Sequence, residues 1–123
     1  MHKVLALLAL LLASISPAHA QAPVPTGAVE GDAILPDFTF HTGEKLAELK
    51  IHYTTLGTPQ RDRQGNVTNA VMILHGTGGT GQQFFQPQFA DELYGPGQPL
   101  DTSKYYIILP DNIGHGGSSK PSD

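Results

Sequence analysis

Cysteine and tryptophan are absent from this 123-residue chain, and seven lysines and arginines stand against eleven aspartates and glutamates. Without cysteine there is no disulfide, no thiolate metal ligand and no thiol to lipidate at a cleaved leader, whatever the redox state of the compartment. The formal net charge is −4 and no basic cluster occurs. Such a chain is a poor partner for nucleic acid or anionic lipid, so neither is expected. The six histidines show no metal-binding spacing such as His-Glu-x-x-His, so no metal and no cofactor are expected. Long hydrophobic runs are also missing, except at the start.

There, Met1-His2-Lys3 leads into Val4 to Ala13, all Val, Leu or Ala; Pro17 and Ala18-His19-Ala20 close the stretch. A basic start, a short apolar core and a small-x-small end are the marks of a secretory signal peptide, and the core is too short to span a bilayer easily. The expectation is cleavage near Ala20, export to a periplasm or the exterior, and no stable membrane anchor. The alternative is an uncleaved anchor, against which Pro17 and the Ala-x-Ala pattern speak. Cleavage leaves 103 residues and, with Lys3 gone, a charge of −5. That is room for one domain.

Residues 21–35 contain Pro23, Pro25, Gly27 and Gly31 and read as an extended linker or arm, with the domain proper at 36–123. Phe38-Thr39-Phe40 and Leu49, Ile51 and Tyr53 alternate with polar residues around the turn Thr42-Gly43-Glu44-Lys45. Alternation of this kind predicts an antiparallel pair near a sheet edge, over Phe38 to Leu56. Val71 to Leu74 and Tyr105 to Leu109 are short apolar runs, the pattern of strands buried on both faces in a parallel sheet. Between them Phe85, Phe89 and Leu93 share one helical face, with Pro87 interrupting or restarting the helix. Strand, helical crossover and strand imply a parallel pair and an α/β fold.

The chain is organised around the end of the first apolar run, His75-Gly76-Thr77-Gly78-Gly79-Thr80-Gly81, with four glycines in six positions. Bare backbone donors at the carboxyl end of a strand suit an anion or an oxyanion. Gly76-x-Gly78-x-x-Gly81 has the letters of a dinucleotide fingerprint. That motif needs an acidic residue closing the second strand about twenty residues on, whereas here the second strand ends at Asp111, thirty residues after Gly81. No Lys-Ser or Lys-Thr follows, so a P-loop fits worse. A plain flexible turn is a further alternative. The preferred reading is an oxyanion loop of the His-Gly type found in lipases and esterases. Thr77 is the first candidate for the backbone N–H donor and Gly78 the second. His75 and Gly76 support the loop, as do Asp111 and His115 from the glycine-rich tail. Ser118 and His115 are neighbours in sequence, but no Gly-x-Ser-x-Gly elbow occurs anywhere in the chain, so both are read as loop-lining residues.

Four segments taken in order carry a resemblance. They are Tyr53-Thr54-Thr55-Leu56-Gly57-Thr58, Asn69 to Gly79, Gly95-Pro96-Gly97-x-x-Leu100-Asp101-Thr102, and Tyr105 to Pro121. In these the sequence resembles the amino-terminal part of the α/β-hydrolase fold, in its homoserine O-acetyltransferase-like branch. The resemblance implies an α/β sheet made of an edge hairpin and two buried parallel strands, incomplete as it stands. It implies a small-molecule acyl substrate, and Ser-His-Asp chemistry in which only the oxyanion loop falls within this chain. Acetyltransferases of amino-acid synthesis are cytoplasmic, so the leader shifts the expectation from acyl transfer towards an exported ester or amide hydrolase. The isolated chain is expected to fold poorly, with an open apolar edge, and to be inactive. The alternative is a small secreted module that catalyses nothing and binds an anion or carboxylate in the glycine loop.

Overall fold

The computed structural model describes residues 24–123. The leader and the expected cleavage site near Ala20 lie outside the described residues. Four strands form one sheet: β1 (Val29–Thr39), β2 (Lys45–Leu56), β3 (Ala70–Met72) and β4 (Tyr106–Pro110). Their spatial order is β1-β2-β4-β3. β2 is antiparallel to both β1 and β4, whereas β3 and β4 run parallel.

The hairpin begins earlier than the sequence suggests. Residues 29–35, assigned above to the arm, are strand and pair with residues 49–55. The fold therefore starts at Val29 and not at residue 36. Gly31 and Asp32 are poor strand formers, so pairing, and not local propensity, places them. Gly31 lies over the Tyr53 ring so closely that a Cβ there would sit 2.8 Å from it, an aromatic cover for an edge glycine. Asp32 gains a cross-strand partner in His52.

The crossover from β3 to β4 contains a 3₁₀ turn (Gly81–Phe85) and α1 (Pro87–Leu93). Pro87 occupies the first turn of α1, where its missing N–H costs nothing and its fixed φ suits a helix start. It restarts the helix, and Phe85, Phe89 and Leu93 all turn to the core. That core is Leu56, Phe84, Phe85, Tyr94, Ile107 and Leu109, with Val71 and Ile73 packed against it. The Phe84 and Phe89 rings meet edge to face at 5.3 Å.

All of this lies on one face of the sheet. On the other, Ala33, Ile51, Tyr53, Met72, Tyr106, Ile108 and Pro110 line an open apolar depression. Burial of β3 is therefore one-sided: Val71 and Ile73 face the core, while Met72 and Leu74 are 59% and 61% exposed. Its apolar run signals a strand with two covered faces, but among the described residues only one face is covered and β4 is its only neighbour. Among the described residues no helix is long and apolar enough to cross a membrane.

Candidate functional site

Because β3 and β4 are parallel, the loops that follow them leave the same end of the sheet. Residues 73–81 and 111–119 thus meet, and side chains from one fix the backbone of the other.

His75 is buried, and both ring nitrogens are engaged. Nε2 accepts from the Asn112 N–H at 2.9 Å, and Nδ1 lies 2.8 Å from the Gly76 carbonyl oxygen. An N–H can only donate and a carbonyl can only accept, so these partners assign a neutral ring with its proton on Nδ1. The Asn112 side-chain amide also donates to the His75 carbonyl at 3.2 Å. The His115 ring meets the His75 ring edge to face at 5.2 Å. His75 therefore has no nitrogen free to act as a base; its ring is committed to shaping the loop.

Past His75 the chain turns out to solvent. The Gly79 N–H bonds back to the Gly76 carbonyl at 3.1 Å, closing a tight turn. Gly78 sits at its corner with φ +80°, in the left-handed region where a side chain is strained. Gly76, Thr77 and Gly78 are exposed. The N–H groups of Thr77 and Gly78 have no hydrogen-bond partner among the described residues. Two free donors on a braced turn can stabilise a negative oxygen placed before them.

Asp111 braces the other end. It is buried, and its two oxygens accept from different loops: Oδ1 from the Gly81 N–H and Oδ2 from the Gly117 N–H, both at 2.8 Å. Ser118, fully buried, donates to the Asp111 carbonyl at 2.7 Å and accepts from the His52 N–H at 2.9 Å. The Ser119 hydroxyl accepts from the Lys50 N–H at 3.0 Å. Two serine hydroxyls thus complete the edge of β2 beyond the point where β4 stops pairing with it. A serine held this way has no accessible oxygen for attack, and Ser118 is a bracket between strands.

The site residues read from the sequence form one group. His75, Gly76, Thr77, Gly78, Asp111 and His115 come together at one end of the parallel pair. No accessible Ser-His pair stands among them. Asn112 and the bridging role of Ser118 are not legible as letters, because each depends on a partner far along the chain.

No protein-family model matches the chain. A probable acyltransferase of Methanothermobacter thermautotrophicus is 33% identical over 86 residues, covering 70% of this chain and 25% of that protein. A homoserine O-acetyltransferase of Carboxydothermus hydrogenoformans is 34% identical over 86 residues, covering 64% and 22%. Among solved structures, an acetylester hydrolase from Corynebacterium glutamicum superposes with a TM-score of 0.63 at 29% identity, over 77% of this chain and 25% of that one. Homoserine O-acetyltransferase from Bacillus anthracis gives 0.54 at 28% identity, over 70% and 24%. The chain spans about a quarter of the length of the relatives it matches. In sequence and in superposition of its backbone, it matches the amino-terminal portion of an α/β-hydrolase-fold protein of the homoserine O-acetyltransferase-like branch.

Proposed function

We propose that residues 73–81 are the oxyanion loop of an exported acyl enzyme, one that hydrolyses esters or amides or transfers an acyl group. Its nucleophile, acid and base are not among the residues of this chain. The supporting observation is the pair of unpartnered N–H groups on Thr77 and Gly78, on a turn braced by His75 and Asn112. When a nucleophile adds to a carbonyl carbon, the carbonyl oxygen gains a full negative charge. Donors already held where that charge develops need no reorganisation, and losing one such donor typically costs about 2.7–4 kcal/mol of transition-state stabilisation. The matched acetylester hydrolase and homoserine O-acetyltransferases both handle small acyl groups, which supports a small-molecule acyl substrate here. The leader, with export after cleavage near Ala20, favours hydrolysis over transfer.

The first test is the coding sequence beyond the codon for Asp123. A strand followed by Gly-x-Ser-x-Gly, or a close variant, supports the proposal; a stop with no such sequence downstream sinks it. In the enzyme so identified, Thr77→Pro deletes one donor without adding a charge. The expected result is a kcat lower by roughly 10²–10³-fold, with fold and KM little changed. The competing reading, a non-catalytic carboxylate-binding module, instead predicts acetate binding that Thr77→Pro weakens and no ester turnover in any form.

A further inference from the structure

A second cluster of polar groups lies beyond the oxyanion loop, where the hairpin meets the two braced loops. Asp32 and His52 stand directly opposite each other in the β1–β2 register. His52 Nδ1 is 2.8 Å from Asp32 Oδ1. A carboxylate only accepts, so in the neutral ring the proton sits on Nδ1 and Nε2 carries a lone pair. Nε2 has no partner among the described residues.

His52 is held in place through its backbone as well as its ring. The His52 N–H donates to Ser118 Oγ, and its carbonyl accepts from the Asp111 N–H at 2.8 Å. Gly117 lies flat against the ring; a Cβ there would come within 2.7 Å of His52 Cγ. That close approach needs glycine, and His52 and Gly117 together line a cavity. The cavity is about 160 Å³, lined by His52, Thr80, Gln82, Asp111, Gly116 and Gly117. The Thr80 hydroxyl and the Gln82 amide have no hydrogen-bond partner among the described residues. Asp111 accepts one N–H on each oxygen, and a carboxylate has lone pairs for about four donors. Lys120 bonds the Gly116 carbonyl at 3.0 Å but does not line the cavity.

The lining is therefore rich in acceptors. It has the free Nε2 of His52 and the Asp111 carboxylate as pure acceptors, the Thr80 hydroxyl and Gln82 amide that can accept or donate, and the unpartnered Gly116 N–H, with the Asp32 charge on the far side of the imidazole. An anion entering would meet the Asp111 carboxylate in the wall, with the Asp32 charge beyond His52. A primary ammonium brings three donors, no acceptor and the complementary charge. We propose that this cavity binds the primary ammonium group of a small amine or amino acid, with His52 Nε2, oriented by Asp32, as its principal acceptor. The site shares Thr80 and Asp111 with the braced loops, but it does not use the Thr77 and Gly78 donors and does not depend on the acyl reading.

The probe is ethylammonium chloride, titrated into the 123-residue chain and followed by histidine ring ¹⁵N and backbone amide NMR. Saturable shifts are expected at His52 Nε2 and the Gly117 amide. Gln82→Glu, which adds a charge at the lining, tightens binding, and Gln82→Lys abolishes it. His52→Ala weakens it by roughly tenfold, the share of one charge-assisted hydrogen bond. Where His52→Ala loses the dispersed amide spectrum, the opposite signs of the two Gln82 substitutions decide. The proposal is overturned if ethylammonium gives no saturable shift. It is overturned equally if tetramethylammonium, which has the charge but no N–H, binds as well, or if sodium acetate shifts the same resonances.

Discussion

Asn112 holds His75 twice across 37 residues of sequence: its backbone N–H donates to Nε2 at 2.9 Å and its side-chain amide to the carbonyl at 3.2 Å. The two bonds are not equal in consequence. His75→Ala removes the Nε2 acceptor and also the Nδ1 contact with Gly76, freeing the turn that presents Thr77 and Gly78. Its expected cost is about 1–3 kcal/mol of unfolding free energy, the range for stranding a poorly hydrated donor. Asn112→Ala keeps the backbone N–H and loses only the longer bond, about 0.5–1.5 kcal/mol. Urea unfolding of both variants, with hydrogen exchange at the residue 112 amide, checks this. A larger loss for Asn112→Ala than for His75→Ala would reverse the argument.

Ser118→Ala is expected to act on stability and not on chemistry. The hydroxyl is fully buried, and its loss leaves both the Asp111 carbonyl and the His52 N–H unpaired. About 2–3 kcal/mol is expected, at the upper end for a buried group left unsatisfied. Ser119→Ala, in a partly buried position with one bond to the Lys50 N–H, costs less. In an enzyme carrying this segment, ester turnover per folded molecule stays the same for Ser118→Ala. Selective loss of turnover at unchanged stability would make Ser118 a reacting group after all.

What the sequence displays and what it hides divide along physical lines. The β2 alternation and the apolar β4 run are local patterns, and both elements stand where those patterns put them. Pro87 and the Phe85, Phe89 and Leu93 face are local too. Val29 to Leu35 is not legible, since Gly31, Asp32 and Pro36 lack strand propensity and the pairing with residues 49–55 decides. One-sided burial of β3 is not legible either, because Val71 to Leu74 reads the same whether one face or two are covered. In the site, His75 and Asp111 are visible as residue types at strand ends. Their roles are set by Asn112, Gly81 and Gly117, and no local signal encodes which distant N–H a side chain will meet.

Asp101 gives the fold an acid limit. Its carboxylate accepts from the Ser103 hydroxyl, the Gly97 N–H and the Ser103 N–H, with Lys104 3.7 Å away. These donors, the Ser103 hydroxyl foremost, lower its pKa to about 2. An unfolded aspartate titrates near ~3.9, so the unfolded chain takes up the proton first. The stabilisation is complete above that value and disappears as the pH falls towards 2. Asp101→Asn should therefore reduce the slope of the urea midpoint against pH over that interval, to which Glu44 and Asp62, also lowered, still contribute, and Ser103→Ala should reduce it by a smaller amount. A wild-type midpoint that does not fall between about pH 4 and pH 2 contradicts the assignment.

Tyr94 sets the alkaline limit by the opposite sign. Its ring belongs to the core, and its hydroxyl is buried with no hydrogen-bond partner among the described residues. Burial alone raises its pKa from 10.0 to about 12. The phenolate is thus favoured in the unfolded chain, and stability falls as the pH climbs from about 10 towards 12. Tyr94→Phe removes an unpaired polar group without opening a cavity. The expected change at neutral pH is between zero and a gain of about 1 kcal/mol, because nothing is lost except the cost of burying the hydroxyl dry. The variant's urea midpoint should also stay level through the interval in which the wild type declines. If Tyr94→Phe instead costs stability at neutral pH, the hydroxyl has a partner, a bound water or a group beyond residues 24–123, and the core is not dry at that point.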